Sequence, residues 1–77
     1  MSKKQYPERY EALRQELQNM RLASGLTQVE LAEKLKVNQQ YVSKYETGER
    51  GLDLISVMLI CEALEIKITT LTDKLKF

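Results

Sequence analysis

The chain of 77 residues has no histidine, no tryptophan, one cysteine and one proline, and its acids and bases nearly cancel, leaving a net charge of +1. Each shortage closes off a class of function. Without histidine, the side chain that most often moves protons near neutral pH is missing. With Cys61 alone there is neither a disulfide framework nor a thiolate cluster for zinc, and its place in the most apolar stretch of the chain fits a small core residue in a reducing compartment. There is no glycine-rich phosphate loop and no carboxylate group with ligand spacing. The expectation is a protein that is not an enzyme, has no catalytic residues, and uses no cofactor, metal or small-molecule ligand.

Long hydrophobic runs are missing as well. No stretch reaches the roughly 18 apolar residues of a membrane span, and residues 1–10, MSKKQYPERY, lack the apolar segment of a secretory signal. A cytoplasmic protein without membrane contact is therefore expected. No internal repeat and no linker-like tract divides the chain, which predicts a single domain over residues 1–77. A domain this short is close to the smallest that holds a core without disulfides or metal, so a second subunit is expected.

What is present concentrates in residues 27–47, TQVELAEKLKVNQQYVSKYET, where the pattern predicts two short helices joined by a tight turn. Thr27 followed three residues later by Glu30 is a capping box, in which each side chain satisfies a backbone N–H of the other. Val29, Leu31, Ala32 and Leu35 recur at helical spacing. Ala32 is small enough for a second helix to approach closely, and Asn38 is a good N-cap for that helix. Over residues 39–47, a rotation of about 100° per residue puts Gln39, Gln40, Ser43, Lys44 and Thr47 on one arc and Tyr41, Val42 and Tyr45 opposite.

The outer arc has two readings. A side-chain amide offers a donor and an acceptor together, matching the N6 and N7 edge of adenine in a major groove, while Lys44 reaches guanine or a phosphate. Alternatively the glutamines simply solvate a helix surface, since glutamine is a good helix former anywhere.

The stretch GLTQVELAEKLKVNQQYVSKYETGER resembles the Xre family of bacterial and phage regulators, which includes the lambdoid Cro and repressor DNA-binding domains. The resemblance implies an all-α, compact bundle of five helices of the lambda-repressor-like type. It also implies double-stranded DNA as partner, with Gln39, Gln40, Ser43 and Lys44 meeting bases on a recognition helix. Gln28, Tyr41, Thr47 and Arg50 would hold phosphates, although the Tyr41 ring could instead pack with only its hydroxyl outward. Arg21 and Glu46 match the family's structural ion pair, which turns an acid near DNA into an internal partner. Two departures stand out. Lys36 occupies the turn position usually held by glycine, where a left-handed conformation would cost on the order of 1 kcal/mol, though a lysine there could also approach a phosphate. Glu49 and Gly51 flank Arg50 where many relatives are more basic, so backbone contacts there are expected to be weaker.

Charge distribution must do what the total does not. Residues 1–21 carry five bases and three acids, residues 27–50 four of each, and residues 51–77 three bases and four acids. Lys44 and Arg50 are expected on the reading side, with Lys36 and the Lys3, Lys4 arm as further candidates, and the modest field predicts a shallow salt dependence.

Outside this unit, Pro7 suits a first helical position, and Leu13, Leu17 and Met20 keep one face apolar up to Gly25. Gly48 is expected to end the recognition helix and Asp53 to cap the next. Residues 54–64, LISVMLICEAL, are apolar almost all round, which a surface helix of a small monomer cannot satisfy with one stripe. Either this is a central helix wrapped by neighbours, or one side meets a second subunit. The second reading makes residues 52–77 a dimerisation region, with Leu54, Met58, Ile68, Leu71, Leu75 and Phe77 at the interface. A last helix is placed at about residues 69–76, weakly specified because Lys67 is a poor cap and Ile68, Thr69 and Thr70 are β-branched, so a short strand is the alternative. The function expected is that of a homodimeric transcriptional repressor or controller on a palindromic operator. The alternative is an antitoxin-like module that neutralises a partner protein and regulates its own promoter.

Overall fold

The computed structural model describes residues 6–76. Five helices follow in order: α1 (Pro7–Ala23), α2 (Gln28–Leu35), α3 (Gln39–Thr47), α4 (Leu54–Ala63) and α5 (Ile68–Leu75), with no strand among the described residues. Phe77, Lys3 and Lys4 lie outside the described residues.

Helix ends follow local chemistry wherever a capping side chain exists. The Thr27 box is complete: Glu30 N–H donates to Thr27 Oγ1 at 3.1 Å and Thr27 N–H donates to Glu30 Oε1 at 2.9 Å. Asn38 Oδ1 accepts from Tyr41 N–H at 3.1 Å, and Asp53 Oδ1 from Ser56 N–H at 2.7 Å. That hydrogen bond holds the Asp53 carboxyl below its usual range.

Three connections reuse one local solution. After α1, α2 and α4, a residue turns left-handed and the apolar residue behind it donates its N–H to a carbonyl of the preceding helix. These pairs are Leu26 to Arg21 (3.2 Å), Val37 to Ala32 (3.0 Å) and Ile66 to Cys61 (2.9 Å). The left-handed residues are Gly25, Lys36 and Glu65, so only the first has glycine where glycine is favoured. The residue after each apolar one then starts the next helix.

The core runs through all five helices, from Leu17 and Met20 through Leu31, Val42 and Tyr45 to Ile60 and Leu71. Cys61 is buried in it, and burial pushes its thiol up, which makes it a packing residue rather than a reactive one. Tyr45 is fully buried with its hydroxyl unpartnered, and burial, followed by the neighbouring Glu46 charge, drives its ionisation far above the ordinary phenol range.

The end of the chain shifts one expected bound and corrects one placement. Residues 68–75 form a helix and not a strand, starting one residue before the expected position. Lys67 supplies no side-chain cap, so packing of Ile68, Leu71 and Leu75 at helical spacing carries the segment. Leu71, placed by the sequence at a dimer surface, is 1% exposed and fills the core instead. It has no surface to offer a second subunit.

Candidate nucleic-acid interface

The polar arc of α3 stands clear of the body. Gln39, Gln40, Lys44 and Thr47 are exposed and Ser43 is half-buried, while Val42 and Tyr45 on the inner side are fully buried. Two apolar anchors thus fix the roll of the helix, and the amides point outward as a consequence.

A buried ion pair fixes the far end. Arg21 donates through Nε to Glu46 Oε2 at 2.8 Å and through Nη2 to Glu46 Oε1 at 3.2 Å, while Nη1 donates to the Leu26 carbonyl at 2.8 Å. The two side chains are only 8% and 3% exposed. The fork geometry and the extra acceptor satisfy charges that would otherwise be costly to bury. Arg21 therefore clamps α1, the α1–α2 turn and α3 together.

From that pair a hydrogen-bond chain climbs to the surface. Gln28 Nε2 donates to Glu46 Oε1 at 2.9 Å, and Gln39 Nε2 donates to Gln28 Oε1 at 3.1 Å. The buried carboxylate orients one amide, which orients the next. Gln39 retains its own carbonyl oxygen and a second N–H for an outside partner, and Gln28 retains one N–H. Neither link was legible in the sequence, because each joins side chains on different helices whose meeting is set by how the helices pack.

The remaining residues assigned to phosphates fall in different settings. Tyr41 is half-buried, edge-on to Tyr45 at a centroid distance of 6.0 Å, and the Arg50 guanidinium lies 4.4 Å over its ring. Arg50 is held further by its N–H donating to the Lys44 carbonyl at 3.1 Å. Its charge therefore borders a shallow cleft with Asn38, Gln40, Tyr41 and Lys44. Thr47 donates its hydroxyl to the Lys44 carbonyl at 3.1 Å, so it meets an outside group as an acceptor unless that bond breaks. Lys36 lines a different groove, between α2 and α4, with Lys34, Leu59, Glu62 and Glu65, and no α3 residue lines that groove.

A second surface lies on α4. Leu54 is 66% exposed and Met58 44%, and beside them Ile55 at 63% and Leu59 at 51% complete an apolar face. Ile55 and Leu59 were missed because an all-apolar segment does not reveal which residues face inward. Ile68 and Leu75 are half-buried at the edge of the core. No helix among the described residues is long and apolar enough to cross a membrane.

Comparison with known proteins bears on this geometry. A family model for the helix-turn-helix matches residues 17–71. An XRE-family like protein from Pseudomonas syringae pv. tomato str. DC3000 is similar in structure with a TM-score of 0.88 and 40% identity, over 96% of this chain and 90% of that one. A point variant of the restriction-modification controller protein C.Esp1396I gives a TM-score of 0.81 at 27% identity, over 87% of each chain. Among curated proteins none matches the chain.

Proposed function

The chain belongs to the Xre family of helix-turn-helix proteins and is a DNA-binding transcription regulator, and on that premise we propose that it acts as a homodimeric repressor or controller on a palindromic operator. The observation that carries this reading is the outward amide ridge of α3 tethered through Gln28 to a buried ion pair. Preorganised donors and acceptors lose little freedom when they meet a base edge.

In this proposal Gln39, Gln40, Ser43 and Lys44 read bases. Gln28, Tyr41, Thr47 and Arg50 fix the register on phosphates, and Arg21 with Glu46 holds the ridge in place. Sequence selection and anchoring are thereby divided between neighbouring side chains.

The apolar face of α4 is the seat of the second subunit. Beside Leu59 the groove carries Lys34 and Lys36 on one wall and Glu62 and Glu65 on the other. A twofold copy meets such a surface with opposite charges on each side, which favours a second copy of this chain over an unrelated protein. Two recognition helices then enter successive major grooves about 34 Å apart. An antitoxin-like role uses the same α4 face for a different protein, and no observation favours it.

Selection of bound duplexes from a random pool tests the proposal. The expected product is two inverted half-sites centred one helical turn apart. A single half-site would remove the dimer, and no enriched sequence would remove base reading by α3.

A further inference from the structure

Arg14 lies outside the helix-turn-helix unit, on α1, yet its side chain is drawn to the end of the recognition helix. A Cβ built on Gly48 would stand 2.9 Å from Arg14 Cζ, 3.0 Å from Nε and 3.2 Å from Nη1. The guanidinium therefore rests directly on the α3 terminus, where the carbonyl ends of the helix favour a cation. Gly48 answers two demands there, its φ of +90° and the room Arg14 occupies.

Arg14 does not sit there alone. It shares a narrow seam with Tyr10, Leu13, Arg50, Gly51 and Leu52. Arg50 borders this seam on one side and the Lys44 cleft on the other. Three cations, Lys44, Arg50 and Arg14, thus follow one another from the polar ridge past the end of α3 to α1. Among the described residues, none of the three is in an ion pair with a carboxylate. Adjacent guanidinium groups repel in isolation, and their potentials add at the point an anion would occupy.

We infer that Arg14 is a DNA-phosphate contact, the outer half of a two-arginine clamp with Arg50 on the backbone flanking the groove that α3 enters. The inference rests on the DNA-binding reading of the α3 face. It accounts for how a chain of net charge +1 binds a polyanion, since three cations without an ion-paired carboxylate follow one another beside the α3 ridge. Contacts to the phosphate backbone fix the register and orientation of a protein on its duplex.

The test is the salt dependence of binding to a duplex of arbitrary sequence, where base reading contributes little. The full chain is compared with Arg14→Gln, Arg14→Met and Arg14→Lys, at a temperature where thermal melts show each fully folded. The two neutral variants should make the slope of log K against log salt shallower by about 0.9 per bound subunit, and Lys should keep it. Affinity should fall about fivefold per subunit at roughly 0.15 M salt and by almost nothing near 1 M. An unchanged slope overturns the inference. So does a loss of affinity that is constant at all salt concentrations, because it would mean that Arg14 only positions α3. If the unsubstituted chain shows no salt-dependent binding, the DNA-binding reading of the α3 face falls first, and the inference with it.

Discussion

Helices α3 and α4 both turn a face to solvent, and the two faces have opposite chemistry. The α3 ridge is amide, hydroxyl and ammonium, anchored from below by Val42, Tyr45 and the Arg21–Glu46 pair. The α4 face is Leu54, Ile55, Met58 and Leu59, with no polar group to satisfy. A polar ridge that is held rigidly is suited to reading a partner with its own donors and acceptors. An apolar face gains free energy from any partner that removes it from water, and its specificity must come from the charged rim. On the proposed function, one domain of this size separates the reading of a partner from assembly with one, on adjacent helices.

The largest test of the contrast is to cut the anchor of one face and leave the other alone. Arg21→Met strands the Glu46 carboxylate, which is 3% exposed, with only Gln28 to satisfy it. Removing one partner of a buried pair costs about 3 to 5 kcal/mol, which is a large share of the stability of a small domain. Denaturant unfolding should show this loss. A loss within ~0.5 kcal/mol, as for an ordinary surface change, would mean that the ridge is not held by the pair.

Next comes the other face. Met58→Glu places a charge amid the four exposed apolar residues, and because Met58 is exposed the monomer should melt within ~0.5 kcal/mol of the parent. Dimerisation should weaken by at least ~2 kcal/mol, roughly thirtyfold in Kd, in sedimentation experiments. An unchanged association constant would move the dimer seat off α4. Smaller and more selective is Gln39→Ala, expected to cost about 1 to 3 kcal/mol on a selected site and much less on random duplex. Equal losses on both would make the ridge an anchor rather than a reader.

How much of this was legible in the sequence depended on how local the cause is. The Thr27 box, the Asn38 and Asp53 caps and the alternation of faces on α3 are decided within a turn of chain, so reading the residues located them. The excess of apolar residues on α4 was equally visible, but its orientation was not: only the packing of Val57, Ile60 and Cys61 decides that Ile55 and Leu59 join Leu54 and Met58 outside. Leu71 counts in the sequence only as one more apolar position near the C-terminus, and the packing of α5 against the body decides that it faces inward. The Gln28 bridge and the place of Arg14 depend on helices meeting in space, and a lone arginine on a brace helix carries no pattern to announce it.

The smallest effect concerns the turns that aim the two faces. Lys36 leads from α2 into α3 and Glu65 from α4 into α5, both at a φ of 59°. A side chain in that conformation costs roughly 1 to 2 kcal/mol, and glycine recovers it less about 0.4 to 1 kcal/mol for the greater freedom of the unfolded chain. Lys36→Gly and Glu65→Gly should each therefore stabilise the fold by about 0.5 kcal/mol, read as a small rise in melting temperature. Because the two charges line one groove without forming an ion pair, the double variant should gain nearly the sum, within ~0.5 kcal/mol. A double variant that gains markedly more than the sum would show that the opposite charges already attract across the groove, because each single change would lose that attraction and the double only once. Lys36→Gly should also leave the salt slope of DNA binding unchanged, since Lys36 borders the α4 side and not the cleft beside α3. A shallower slope would extend the phosphate track to the turn itself.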